Sequence, residues 1–336
     1  MKRIGLMGCG TVAGYGHLPA LSESPSWDLA SIFEPNEERR TAAATRFGVP
    51  NAFSNVEEFF ESGIDAVSVT SPAPCHLENV RDAARHGKHV LCEKPLAMTE
   101  AEALEMINLA QKAGIMLFTG FTYRFGPEAQ KIKRLLEQGA IGDVRSLRLI
   151  YIWNCHGRYE LDEHGNRIEQ RRRAGRMLEG GPLVDCGVHD IDLARWWLGS
   201  EVQRYQSAAA WVENYEAPDH VYLHLDHANG AHTMTELSYT YCHTAKEPFY
   251  QLTYDLIGTE GVLHYDGVTH TLELRSSQQT ESFHFAPGKN FAGMYEAFAH
   301  AVATGEPDDL ATAMDGLVAT RIARAATDDA IHNRPR

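Results

Sequence analysis

At 336 residues, 43% hydrophobic and 23% charged, the chain has the size and make-up of a globular protein with two domains, each with its own core. Its net charge of −14 argues against nucleic-acid partners. With no apolar run near the ~20 residues of a membrane helix and no signal-peptide core, it argues against a membrane or secreted protein.

Residues 3–7 read as a short buried strand. It runs into Gly8-Cys-Gly10-Thr11-Val12-Ala13-Gly14 and a helix to about residue 22. In this strand–turn–helix context a G-x-G-x-x-A match reads as a dinucleotide site. Gly8 permits the tight turn, Gly10 lets backbone approach a pyrophosphate, and Ala13 lets helix and strand pack closely. The helix start at Thr11 and Val12 offers amides and a positive dipole end to phosphates. Strand 29–33 ends at Glu34, an acid placed to accept both hydroxyls of an adenosine ribose. It would repel a 2′-phosphate, so it favours NAD over NADP. Arg39 and Arg40 follow on the next helix.

The alternation continues with helix 56–62, strand 66–70, helix 75–86, strand 89–92, helix 99–113 and strand 116–119. Repeated β-α units at this spacing predict a doubly wound parallel sheet, a Rossmann domain over residues 1–121. Ligands bind at the carboxyl ends of such strands, which points to Thr70, to Glu93-Lys94-Pro95 and to the stretch ending in Arg124.

Residues 122–336 read as a second, α+β domain for substrate binding and oligomerisation, with a C-terminal helix that can pack back on the first domain. Strands are predicted at 145–153, 202–211, 220–227, 232–239, 250–258, 261–265, 271–275 and 282–285, with Asn229-Gly230 as a hairpin turn. This makes a large, mostly antiparallel open sheet, whose outer face is a candidate subunit interface for a homodimer or homotetramer. Helices are expected at 291–304 and 309–331. Segment 154–178 reads as a loop. Its Arg171, Arg172 and Arg173 read as a solvated run or, more sharply, as an active-site lid for an anionic or hydroxylated substrate.

A helix over 183–198 is crowded with ionisable groups. Asp185 and His189 are four apart, and His189 and Asp192 three apart, so all three share a face. Apolar neighbours, Trp196 and Trp197 among them, make the helix largely buried. Such groups are costly there unless paired or working. Asp192 is expected to be structural. The six cysteines, Cys155 and Cys242 among them, are scattered without Cys-x-x-Cys, which suggests neither a disulfide framework nor a zinc knuckle. His220, His224, His227, His232 and His243 cluster in the sheet region. They are read as solvated or core histidines, and no metal is expected. A reduced, cytoplasmic enzyme fits these features.

The glycine turn, the run His86-Gly-Lys-His-Val-Leu-Cys-Glu93-Lys94-Pro95-Leu-Ala and Gly180-Gly-Pro-Leu-Val-Asp185-Cys-Gly-Val-His189-Asp-Ile-Asp192 carry a resemblance. Together with Tyr123-Arg-Phe-Gly-Pro-Glu and Ile257-Gly-Thr-Glu-Gly261, they resemble the glucose–fructose oxidoreductase / inositol dehydrogenase (Gfo/Idh/MocA) family over essentially the whole chain. The resemblance implies that Lys94, Asp185 and His189 form the catalytic set and contact substrate, with Arg124 as a substrate-facing arginine. It places Glu93 near the nicotinamide ribose and Thr70 and His76 along the cofactor. It also implies a cis Lys94–Pro95 bond.

The chemistry suits those residue types. Oxidising a secondary alcohol with NAD removes a hydride and a proton, and the proton needs a base within about 3 Å of the hydroxyl. His189 has the right ordinary range. Asp185 can fix its tautomer, and Lys94 can stabilise a developing alkoxide. The expectation is therefore an NAD(P)-dependent CH–OH dehydrogenase, preferring NAD, for a small polyhydroxylated substrate such as a sugar, cyclitol or sugar derivative. A NAD-assisted glycoside-cleaving enzyme of the same family is the alternative. A non-catalytic sensor is disfavoured by the intact Lys94, Asp185 and His189 set.

Overall fold

A computed structural model describes residues 1–153, 159–161, 164, 166–169, 171–241, 249–286 and 288–334; for 159–161, 167–169 and 171–174 it describes the backbone alone. Cys155, Cys242 and His243 lie outside the described residues, as do the side chains of Arg171, Arg172 and Arg173. The chain forms two compact units. One comprises Met1–Phe125 with Lys289–Thr320, the other Gly126–Gly288 with Arg321–Arg336.

The first unit is built on β1 (Lys2–Met7), β2 (Trp27–Phe33), β3 (Asn51–Phe53), β4 (Ala66–Val69), β5 (His89–Cys92) and β6 (Leu117–Thr119). Their order is β6-β5-β4-β1-β2-β3, and all pairs are parallel. The order reverses at β1 and β4, the place where a doubly wound sheet opens a ligand crevice. The strands are nearly continuous apolar runs because helices cover both faces. Two strands had no clear signal in the sequence: the three-residue β3, and Ala311–Thr312, which adds to β6 antiparallel. The latter falls where a helix from 309 was expected; the helix starts at Ala313.

Helix Phe291–Thr304 returns to this unit. Its Tyr295 and Phe298 are fully buried, Phe298 stacks on Trp27 at 5.3 Å between ring centres, and the Trp27 indole N–H donates to Tyr295 O at 2.9 Å. Asn290 caps the helix start by accepting from Gly293 N–H at 2.8 Å.

The second unit holds β7 (Val144–Trp153), the ribbon β8 (Tyr159–Leu161) and β9 (Arg167–Glu169), then β10 (Val202–Ala210), β11 (His220–His227), β12 (His232–Ser238), β13 (Tyr250–Gly258), β14 (Gly261–Asp266), β15 (Thr271–Ser276) and β16 (Thr280–His284). The large sheet runs β10-β11-β12-β7-β13-β14-β15-β16, antiparallel except for β12 against β7. Alternation is clean: Val221, Leu223 and Leu225 are buried while Tyr222 and His224 face out. The segment expected as a loop, 154–178, contains the ribbon and the helix Arg171–Leu178. Its arginine-rich sequence has no apolar period strong enough to announce a helix.

Candidate active site

In the first unit the turn after β1 is shaped by contact. Gly8 sits at φ +97°, and a Cβ there would lie 2.7 Å from the Ser71 backbone, so only glycine fits. Thr70 at the end of β4 donates its hydroxyl to Gly8 O at 2.7 Å, locking the two strand ends together. Gly10 has open space where a Cβ would point, which leaves the turn accessible to a phosphate group. The helix closes its first turn with Gly14 N–H to Gly10 O at 3.0 Å, so the amides at Thr11 and Val12 lie at its N-terminus. Beyond them, Ala13–His17 is a π-turn, the kind of local irregularity that clusters at functional sites.

Glu34 is buried, and its oxygens accept from Cys9 N–H at 2.9 Å and Asn36 N–H at 3.0 Å. Arg39 Nε stands 3.7 Å from the same carboxylate, and Arg40 donates to Glu34 O at 2.8 Å.

His76 is buried with Nε2 3.0 Å from Ser71 O and Nδ1 3.1 Å from Pro95 O. Burial pushes this imidazole down, partly offset by those carbonyls and by Glu93. The ring ties the end of β4 to the turn after β5, where Lys94–Pro95 is cis.

Glu93 sits in a buried network of hydrogen bonds and charges. Burial alone would raise its carboxyl, but the hydrogen bond and charge of His17, then Lys94 and Lys289, outweigh it and hold Glu93 at about 2. One oxygen meets His17 Nε2 at 2.8 Å and the other accepts from Lys94 N–H at 3.1 Å. His17 Nδ1 faces the Tyr295 hydroxyl at 2.7 Å, which faces Ser68 Oγ at 2.6 Å. Lys94 is half-buried beside this network, and the Lys289 ammonium lies 5.7 Å over the Tyr123 ring. Arg124 is buried, with a guanidinium nitrogen 3.6 Å from Asp315 and another 3.4 Å from Asp309 O.

In the second unit the expected continuous helix is two pieces. Leu183–Gly187 is a π-turn and Val188–Leu198 an α-helix. Asp185 therefore lies on a wider turn than His189. Tight packing shapes it: a Cβ at Gly187 would lie 2.6 Å from Leu183 Cδ1 and 3.0 Å from Leu237 Cδ1.

Asp185 is buried and accepts from Arg176 Nη1 at 2.8 Å and from the Tyr239 hydroxyl at 2.7 Å. Burial, and then the Asp185 charge, push the Tyr239 phenol well up, so it keeps its proton and donates. Cys186 Sγ lies 3.1 Å from the same hydroxyl. His189 and Asp192 are buried on the α-helix. Asp190 hydrogen-bonds Thr235 of β12, and burial pushes its carboxyl up to about 7 despite that bond. Trp197 packs edge-on to Tyr254 at 5.3 Å and donates to Ala129 O at 3.2 Å. Among the described residues, no group of three or more His, Cys, Asp or Glu is arranged to hold a metal.

Residues 2–121 match the family model described as the oxidoreductase family with an NAD-binding Rossmann fold, and residues 129–264 match the GFO/IDH/MocA C-terminal domain. The chain is 30% identical over 329 residues to a 1,5-anhydro-D-fructose reductase of Ensifer adhaerens, covering 94% of this chain and 92% of that one. The chain belongs to the Gfo/Idh/MocA oxidoreductases. It is also 26% identical to a scyllo-inositol 2-dehydrogenase (NAD(+)) of Bacillus subtilis, covering 99% of this chain and 95% of that one. A probable dehydrogenase from Thermotoga maritima has the same fold, at TM-score 0.80 and 26% identity over 99% of this chain and 97% of that one.

Within this Gfo/Idh/MocA chain, the structure brings Gly8, Thr70, His76, Glu93 and Lys94 to adjoining strand ends of one unit and holds Asp185 and His189 on one segment of the other. Sequence reasoning missed His17, Ser68, Tyr295, Lys289, Arg176 and Tyr239. His17 carried a faint local signal, a histidine in the helix leaving the glycine turn. Ser68 and Arg176 stand close in sequence to Thr70 and Asp185 but in no pattern that marks them, and Tyr295, Lys289 and Tyr239 come from distant segments that only folding brings near.

Proposed function

We propose that the chain is an NAD-dependent dehydrogenase that takes a hydride from a secondary hydroxyl of a sugar, cyclitol or sugar derivative. The relatives named for 1,5-anhydro-D-fructose and scyllo-inositol support that substrate class. The observation that carries the reading is Lys94 at the carboxyl end of a parallel strand, its amide bound to the ionised Glu93.

The bound nicotinamide supplies the hydride acceptor. The residues fit a dinucleotide: an open glycine turn at a helix N-terminus, and a buried acid at the end of β2. In this proposal Glu34 receives the adenosine ribose and selects NAD over NADP. Gly8, Gly10, Thr11 and Val12 cradle the phosphates. Thr70 and His76 shape the strand ends beside the cofactor, and Glu93 serves the nicotinamide ribose. Lys94 presents a cation to the reacting oxygen. His189 accepts the hydroxyl proton at a ring nitrogen. Asp185, held by hydrogen bonds from Arg176 and Tyr239, supports the positive charge that His189 gains. Residues 1–121 are assigned to cofactor binding, joined there by Lys289–Thr320 of the same unit, and the rest of 122–336 to substrate binding and oligomerisation, with the outer face of the large sheet joining copies of the chain.

The test is NADH production by purified protein over polyols, inositols, pyranoses and sugar acids. Net NADH with one of these is expected; bond cleavage without net NADH would favour the glycoside-cleaving alternative instead. Lys94→Met should abolish turnover while NAD binding survives. Activity above a few per cent of wild type in that variant would remove Lys94 from the reaction.

A further inference from the structure

The buried series Ser68, Tyr295, His17, Glu93 has a direction. Glu93 is a carboxylate with no hydrogen to give, so His17 Nε2 carries the hydrogen between them in either protonation state of the ring. With a neutral ring, Nδ1 then accepts and the Tyr295 hydroxyl donates to it, which leaves Ser68 Oγ to donate to Tyr295. Every hydrogen in that arrangement points toward Glu93.

Ser68, Tyr295 and His17 are each at most 1% exposed, and they sit among apolar residues of the unit's core. Burying three polar side chains there is costly unless they satisfy one another. The rings of His17 and Tyr295 do pack edge-on, but their polar atoms and the Ser68 hydroxyl add nothing to that packing. The series is also long-range: the donor to His17 rides on helix Phe291–Thr304, held by Trp27 and Phe298. His17 itself ends the π-turn Ala13–His17, whose first residues follow the phosphate-binding turn. One side chain thus joins the glycine turn to the strand end that carries Lys94.

We propose that His17, Tyr295 and Ser68 are positioning residues that fix Glu93 as an anionic acceptor against the Lys94 backbone and so shape the nicotinamide end of the cofactor site. The proposal rests on the reading of Glu93 as a nicotinamide-ribose residue. The other groups that act on Glu93 are Lys94, Lys289, His76, Cys92 and Tyr295. His17 gives Glu93 a hydrogen bond that favours its charged form, so loss of that bond leaves burial less opposed and moves the Glu93 carboxyl up.

The experiment is calorimetric titration with NAD⁺ from pH 5 to 8 on the full chain, with melting temperatures as the control for folding. His17→Phe should raise the Kd about tenfold, the worth of one hydrogen bond to a charged group. It should also add an inflection on the acid side that wild type lacks. His17→Gln, whose amide can still donate to Glu93, should restore the flat profile. Tyr295→Phe removes one hydroxyl without changing shape and should raise the Kd about threefold. A folded His17→Phe protein with wild-type Kd and a flat profile overturns the proposal. Should His17→Phe fail to fold, Tyr295→Phe decides, and an unchanged Kd overturns it equally. Absence of NAD⁺ binding by the wild-type chain would instead sink the functional reading beneath it.

Discussion

In the proposed function the choice between NAD and NADP falls to Glu34. Both its oxygens accept from backbone amides, Cys9 at 2.9 Å and Asn36 at 3.0 Å, which fixes its direction. Each carboxylate oxygen has a second lone-pair site, so both can still accept from a ribose diol. A 2′-phosphate would meet this fixed negative charge. Arg39, 59% exposed and 3.7 Å away, is the cation such a phosphate would use were the acid gone. Glu34→Ser should therefore weaken NAD⁺ binding by roughly tenfold or more, from the loss of charged hydrogen bonds worth about 1.5–3 kcal/mol each, and should improve NADP⁺ binding. Measuring both Kd values checks this; an unchanged ratio between them would remove Glu34 as the selector.

At the scale of elements, the sequence was most legible where one rule governs a whole segment. The β-α alternation of the first unit and the alternating strands of the second follow from apolar periodicity, and the structure reproduces them. Less legible were features decided by tertiary packing: the π-turns at 13–17 and 183–187, the helix Arg171–Leu178, and the strand Ala311–Thr312. Lys94 stood out through a strand-end motif. Tyr295 had no comparable signal, because its role depends on helix Phe291–Thr304 returning to the first unit. The helix of His189 offers a test of element-level electrostatics. Asp190 anchors it to β12 through Thr235, and burial lifts the carboxyl from 3.8 to about 7. The folded state thus holds this proton more tightly than the unfolded chain does. The contribution is fully present below pH ~4 and is lost as pH rises through about 7. Asp190→Asn removes the titration and leaves a neutral side chain able to bond Thr235. The melting temperature of the variant minus that of wild type should become more positive from pH 5 to pH 8. Glu128, also pushed up to about 7 by burial, is common to both proteins and cancels in the difference. A difference that is flat with pH would show that Asp190 does not titrate this way.

At the scale of the whole molecule, the eight-stranded sheet supplies the surface for the proposed assembly. Gln206, His224, Met234, Arg148, Asp255, His264, Glu273 and Ser282 follow one another across all eight strands in one cross-strand row. Within it Arg148 and His264 bind Asp255 at 2.7 and 2.6 Å, and alongside Arg204 and His232 bind Asp226 at 2.6 and 2.9 Å. Charges of both signs thus alternate along a broad sheet face, so two copies related by a two-fold axis can set cations of one against anions of the other. Apolar area for contact is present as well, with Ile257 52% and Tyr222 37% exposed on the same face. With a net charge of −14 on each copy, long-range repulsion opposes association, so this local pattern has to outweigh it. Light scattering at micromolar concentration should show a dimer or tetramer. Replacing Ile257 and Tyr222 together by aspartate should shift it to monomer with unchanged far-ultraviolet circular dichroism, because both positions face outward from an intact sheet. A wild-type monomer, or a double variant that still assembles, would exclude this face as the interface.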